Sequence, residues 1–192
     1  MARRRHRPVA LFLMGLPGAG KSTLARRLSL KLRWPVVDRD LVRLGLFPRA
    51  RFDAAEKHAA NATVCRLARE HLVAGRSVIV DGMTFARPAQ RRRVARLALR
   101  AGARPLFVFL DCPVELAQAR VRASAAHPAG DRSAQLVWEV AERFAAPPRV
   151  ALRLDARSGV RVLASRVLAR IRPGKKSPQP KPATPPRGAG MK

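Results

Sequence analysis

The chain has 192 residues, 40 of them Lys or Arg against 12 Asp or Glu, a formal net charge of +28. That length suffices for one well-buried α/β domain and falls short of two. No apolar run reaches the roughly 18 residues of a membrane span, and two cysteines without ligand spacing argue against a disulfide framework or a cysteine metal site.

Residues 1–8 form a basic arm, Met1-Ala2-Arg3-Arg4-Arg5-His6-Arg7-Pro8, ahead of the apolar run Val9–Met14. Basic-then-apolar is the outline of a signal peptide. This run, however, ends in a glycine-rich loop and not in a small-residue cleavage site, so the expectation is a cytoplasmic protein. Val9–Met14 reads as the first strand. Gly15-Leu16-Pro17-Gly18-Ala19-Gly20-Lys21-Ser22-Thr23 then fits the phosphate-loop pattern G-x-x-x-x-G-K-[ST], and helix-like Lys21–Arg33 follows. Strand, loop and helix in that order are the context the pattern requires. The glycines let successive backbone N–H groups turn inward around a phosphate, above the positive end of a helix. Gly15, Pro17, Gly18, Ala19, Gly20, Lys21, Ser22 and Thr23 are thus the expected ATP-phosphate cradle. Lys21 would reach the β- and γ-phosphates and the Ser22 hydroxyl would ligate Mg²⁺.

A second strand, Trp34–Asp38, leads into Asp40 and Arg43, spaced i, i+3 so that both can share one side of a helical turn. A carboxylate there could accept the proton of an attacking hydroxyl, and the arginine could hold an anionic substrate. The alternative is that Asp40 only caps the short helix that follows. Helix Ala54–Ala74 stops at Gly75, and Ser77–Asp81 is a β-branched strand. Its terminal Asp81 suits a role toward Mg²⁺ through water or toward the acceptor hydroxyl, with a structural cap as the alternative. Thr84 and Arg87 follow as possible substrate contacts.

Helix Pro88–Arg100 opens on proline and stops at Gly102. Arg104–Asp111 holds the most continuous buried-strand signal. Helices over Val114–Ser124 and Ser133–Ala145 flank the polar link Ala125–Arg132, where a lid carrying Arg120, Arg122 or Arg132 could neutralise a transferring phosphoryl group. A last strand, Val150–Leu154, precedes helix Val160–Ile171. Residues 173–192 are basic and Pro-rich without apolar periodicity, which predicts disorder. The pattern predicts one α/β domain over residues 9–172, with a mainly parallel five-stranded sheet covered on both faces and an Arg-bearing helical lid.

With Asp40-x-x-Arg43, Val78-Ile79-Val80-Asp81-Gly82-Met83-Thr84-Phe85-x-Arg87, Leu110-Asp111-Cys112-Pro113, Arg120 and the Phe144…Pro147 ending in place, the chain resembles a group of phosphate-loop kinases. That group contains the polynucleotide 5′-hydroxyl kinases and the zeta-toxin kinases, and the likeness covers roughly residues 9–150. It implies a three-layer P-loop NTPase fold, ATP and Mg²⁺ as cofactors, and transfer of the γ-phosphoryl group to a hydroxyl of a small molecule, sugar or polynucleotide. It also implies Asp40 as general base, Arg43 as substrate-phosphate contact, Arg120 as lid arginine, and an adenine-contacting segment near Asp155–Gly159. The rival expectation is a nucleotide-dependent switch or nucleic-acid-binding module with slow hydrolysis.

The excess positive charge attracts polyanions, so nonspecific nucleic-acid binding through the surface and tail is a further expectation. The alternative is a bias toward Arg and Ala spread over solvated helix faces, given only 5% aromatic residues and no Tyr for stacking bases. If the tail is a flexible anchor for anionic partners, removing residues 174–192 would leave ATP binding unchanged and weaken RNA or DNA retention at low salt.

Overall fold

In the computed structural model, described here for residues 7–49, 51, 53–123 and 133–171, five strands alternate with seven helices. In chain order these are β1 (Val9–Met14), α1 (Lys21–Leu32), β2 (Val36–Asp38), α2 (Arg39–Leu46), α3 (Ala54–Val73) and β3 (Val78–Asp81). They continue with α4 (Pro88–Arg100), β4 (Arg104–Asp111), α5 (Val114–Ala123), α6 (Ala134–Glu142), β5 (Leu152–Asp155) and α7 (Val160–Ile171). The basic arm before Arg7, the lid link with Arg132, and the tail from Arg172 lie outside the described residues.

All four strand pairings are parallel, in the spatial order β2-β3-β1-β4-β5. β1 is central and all six of its residues are buried, because both faces of the sheet are covered. Strand alternation splits it cleanly. Val9, Leu11 and Leu13 pack with Leu24 and Leu28 of α1 and Leu163 and Val167 of α7. Ala10, Phe12 and Met14 pack with Val64, Ala68 and Leu72 of α3 and with Val94 and Ala98 of α4. The result is the expected three-layer α/β fold of the P-loop NTPases.

The differences from expectation fall at the two outer strands and at α6, which ends at Glu142 and not at Ala145. β2 begins at Val36, not Trp34, and β5 runs Leu152–Asp155, not Val150–Leu154. Each is an outer strand with one neighbour, where fewer pairings hold the ends. Among the described residues no helix is long and apolar enough to cross a membrane.

The order fixes where ligands go. The chain leaves β1 for α1 and places β3 on one side of it and β4 on the other, so the crevice at the carboxyl end of β1 is the topological switch point.

Candidate active site

The loop between β1 and α1 takes its shape from glycines in the left-handed region. Gly15, Gly18 and Gly20 have φ of 140°, 80° and 91°. At Gly18 a Cβ would stand 2.3 Å from the Ala117 carbonyl oxygen of α5, so no side chain fits there. Gly20 is the N-cap of α1 and has open space where a Cβ would be. The N-terminal end of α1 therefore faces a cavity with its free N–H groups, the arrangement that attracts a phosphate. Lys21, 7% exposed, folds over the loop and donates from Nζ to the carbonyl oxygens of Gly15 at 2.9 Å and Leu16 at 2.8 Å.

Two cavities meet at this loop. The first, of about 490 Å³, is lined by Gly18–Thr23, Arg26, Arg120 and Val121 on one side and Ala156–Val160 with Leu163 on the other. Arg120 donates from Nη2 to the Ala156 carbonyl oxygen at 3.1 Å, joining α5 to the β5–α7 loop across the cavity wall. In the same loop Arg157 is held flat by Asp155, with Nε–Oδ1 at 3.0 Å and Nη2–Oδ2 at 2.8 Å. That side-chain bond is the main reason the Asp155 carboxyl drops to about 2.

The second cavity, of about 480 Å³, lies on the other side of Lys21. Its walls are Pro17 and Lys21 of the loop, Arg39 of α2, Ala54, Lys57, His58 and Asn61 of α3, Gly82, Thr84, Ala86, Arg87 and Gln90 around the start of α4, and Leu136, Val140 and Arg143 from α6 and its end. The Gly15 N–H donates to the Thr84 carbonyl oxygen at 3.2 Å, so the phosphate loop and the β3–α4 loop are tied together where the cavities join.

Carboxylates collect at the ends of β2 and β3. Asp38 and Asp81 are register partners. Gly82, at φ 77°, lets the chain pass with its Cα beside Asp38, since a Cβ would be 2.8 Å from Asp38 Oδ1. Asp38 is the true cap of α2, its Oδ1 accepting from the Asp40 N–H at 2.8 Å. Asp40 is therefore not the cap. It sits inside the first turn, 2% exposed, with Oδ1 accepting from Arg39 Nη2 at 2.7 Å. Burial first, and then the Asp81 charge, push the Asp38 carboxyl above the usual carboxylate range. Asp81 is 1% exposed and its Oδ1 is buried without a hydrogen-bond partner.

That orphaned oxygen, beside a second carboxyl that resists ionising, is what a cation would relieve. No group of three or more His, Cys, Asp or Glu that could cage a metal exists among the described residues. The orphaned carboxylate oxygen fits Mg²⁺, which keeps several waters and binds one or two carboxylates together with substrate phosphates.

Of the residues read from sequence, Gly18, Ala19, Gly20, Lys21, Ser22, Thr23 and Arg120 line the first cavity, and Pro17, Lys21, Thr84 and Arg87 line the second. Residues 156–159 of the expected adenine segment line the first cavity as well. Gly15, Asp40, Arg43 and Asp81 line neither; Asp40 and Arg43 are each 2% exposed, Asp81 is 1% exposed, and Arg43 is among the largest fully buried side chains. Arg122 is exposed and lines neither cavity. Arg39, Lys57, His58, Asn61, Gln90 and Arg143 were not legible as site residues. The i, i+4 spacing of Lys57 and Asn61 shows that they share a helix face, but not what that face meets.

One further arginine was missed. Arg91 of α4 is buried, and its guanidinium donates to four carbonyl oxygens: Phe85 at 2.6 Å, Ala86 at 2.9 Å, Ala145 at 2.6 Å and Ala146 at 2.6 Å. It joins the β3–α4 loop to the segment after α6, the two sides of the second cavity.

Comparisons with known proteins bear on the family and the fold. The bifunctional enzyme NodQ of Azospirillum brasilense is 34% identical over 119 residues, 59% of this chain and 19% of that protein, so the match covers a small part of NodQ. The structure of APS kinase CysC from Mycobacterium tuberculosis, in complex with AMPPNP and APS, superposes with a TM-score of 0.67 at 23% identity. It covers 84% of this chain and 96% of that one. A gluconokinase from Sinorhizobium meliloti 1021 gives 0.65 at 17% identity, over 86% and 93%. The fold is thus shared with P-loop kinases. The sequence profile of one family, described as an AAA domain, matches residues 11–148, well over half of the chain, and the chain belongs to that family.

Proposed function

We propose that the protein is an ATP- and Mg²⁺-dependent kinase that transfers the γ-phosphoryl group of ATP to a hydroxyl of an acceptor. The observation that carries this reading is that Lys21 lines both cavities. A nucleotide in the first, with its phosphates on residues 15–23, would present its γ-phosphoryl group at the mouth of the second. A switch protein needs only the first cavity; a transferase needs both.

In this reading Gly18–Thr23 hold the phosphates through backbone N–H groups, Gly15 and Pro17 shape the loop, and Lys21 leaves the loop carbonyls to bind the β- and γ-phosphates. Mg²⁺, held by Ser22 and through water by Asp81, would neutralise phosphate charge. The acceptor oxygen forms the new P–O bond as the γ-phosphoryl bond to ADP breaks, and Asp40 takes the hydroxyl proton. Arg120, already at the nucleotide side of α5, offsets charge on the transferring group. Arg87 and Thr84 contact the acceptor. Arg43, buried on the same turn as Asp40, acts as a positioning residue. Catalysis is mostly alignment of the two ligands in adjacent cavities. We place the protein in the cytoplasm, where the free Cys65 and Cys112 stay reduced.

The test is Asp40→Asn. The reading expects ATP affinity to stay within about twofold while transfer falls by about 10²-fold or more, the usual scale for a lost general base. Transfer at a near-normal rate would remove Asp40 from the chemistry.

A further inference from the structure

We propose that the acceptor is a small sugar or polyol carrying a phosphate or carboxylate, recognised by charge and hydroxyl contacts and not by base stacking. The inference rests on the kinase reading for the word acceptor, but the site stands on its own geometry.

Four elements around the second cavity each contribute a cation: Arg39 from α2, Lys57 from α3, Arg87 at the start of α4 and Arg143 at the end of α6. Among the described residues no Asp or Glu lines it. Arg39 is engaged by Asp40, whereas Lys57, Arg87 and Arg143 make no ion pair among the described residues. Converging like charges in one concave site raise each other's energy, and an anion between them removes that cost. A neutral alcohol would leave it in place.

The rest of the wall narrows the class. Among the described residues no Phe, Trp or Tyr lines the cavity, which gives a nucleobase no aromatic platform on those walls. Asn61 is in the wall, and its Oδ1 is buried without a hydrogen-bond partner. The surrounding cations are donors on charged groups that an anion will occupy, so the ligand must bring its own donor to this oxygen. A hydroxyl does so. Thr84 and Gln90 add two more groups of hydroxyl-binding type. About 480 Å³ falls in the range of small-molecule sites.

The experiment is calorimetry on the full chain saturated with AMPPNP and Mg²⁺, so that binding is read without turnover. The probes are ribose 5-phosphate and gluconate, the neutral sugars ribose and glucose, inorganic phosphate, and AMP. At least one anionic polyol should bind about tenfold or more tightly than its neutral counterpart. Which of the two does so separates phosphate from carboxylate recognition. Lys57→Gln or Arg143→Gln should weaken that binding about tenfold, while Arg166→Gln, exposed on α7, leaves it unchanged. Asn61→Ala should weaken polyol binding but not that of inorganic phosphate. AMPPNP affinity of each variant reports that the fold is intact.

Equal binding of neutral and anionic sugars, no binding by either anion, or AMP binding tenfold tighter than ribose 5-phosphate would overturn the proposal. Transfer from ATP to a neutral alcohol alone would do the same and leave the kinase reading standing. Variant-sensitive anion binding with no transfer would remove the kinase reading and keep the site.

Discussion

Replacing Arg91 by Met keeps the length and packing of the stem and removes the guanidinium. Its four bonds do not count equally. The carbonyls of Ala145 and Ala146 lie in a half-exposed segment and can turn to water. Those of Phe85 and Ala86 are in a buried one and cannot. A bond from a charged donor to a buried acceptor is worth about 1.5–3 kcal/mol, and part of that is offset by burial of the charge itself, which also lowers the Arg91 pKa. The guanidinium also sits 5.4 Å from the Phe144 ring centroid, adding about 0.5–1 kcal/mol. Phe85 has φ 51°, a left-handed conformation that costs about 1–2 kcal/mol and that the bond to its carbonyl helps to hold. The expected loss is about 3 kcal/mol, large against the 5–15 kcal/mol of a typical domain but not enough to unfold it. Urea unfolding measures the loss, and hydrogen exchange at the Ala145 amide, which donates to the Ala86 carbonyl, measures the local opening. Exchange there should speed up more than in β1. A loss under about 1 kcal/mol, or an Ala145 amide no faster than in the native chain, would refute the idea that Arg91 clamps the two sides of the second cavity.

Gly18→Ala should abolish nucleotide binding by calorimetry, because the added Cβ stands 2.3 Å from the Ala117 carbonyl and φ is 80°; an ATP affinity within twofold of native would show that the loop yields. Arg157→Ala should raise the Asp155 carboxyl from about 2 toward 3.8 by NMR titration. Its folded pKa is depressed, so the contribution to stability is present above 3.8 and lost as pH falls toward about 2; an unchanged titration would mean that Arg157 is not the cause. Asp38 is the opposite case: its folded pKa is raised above 3.8, first by burial and then by Asp81. Stability is therefore gained as pH falls through its folded pKa toward 3.8, and Asp81→Asn should flatten that gain in acid urea titrations. A slope equal to that of the native chain would place the cause elsewhere.

The parts of the fold that were legible are those encoded locally. β1 and β4 announce themselves as continuous apolar runs, and α4 as a proline-led periodic segment ending at glycine. The phosphate loop is legible because its geometry demands residue types at fixed spacing. What was not legible depends on long-range packing. Lys57, His58 and Arg143 look like any solvated positions in an Arg-rich chain until α3 and α6 are brought to one cavity. Arg91 sits in the run Arg91-Arg92-Arg93, of which Arg92 and Arg93 are exposed and only Arg91 turns inward. The end of β2 at Asp38 was legible, but Asp38 and Asp40 are both cap-forming residue types, and only the structure shows that Asp38 accepts from the Asp40 N–H.

The central claim is transfer between two cavities joined at Lys21. ATP labelled at the γ-phosphate, with Mg²⁺ and ribose 5-phosphate, gluconate, ribose, glucose or a 5′-hydroxyl oligonucleotide as acceptor, tests it directly by separating labelled product, ADP and inorganic phosphate. The account predicts label on one acceptor in a one-to-one ratio with ADP, and loss of that label in Lys21→Ala. Release of inorganic phosphate at one rate with or without any acceptor, or transfer that survives Lys21→Ala, would contradict it.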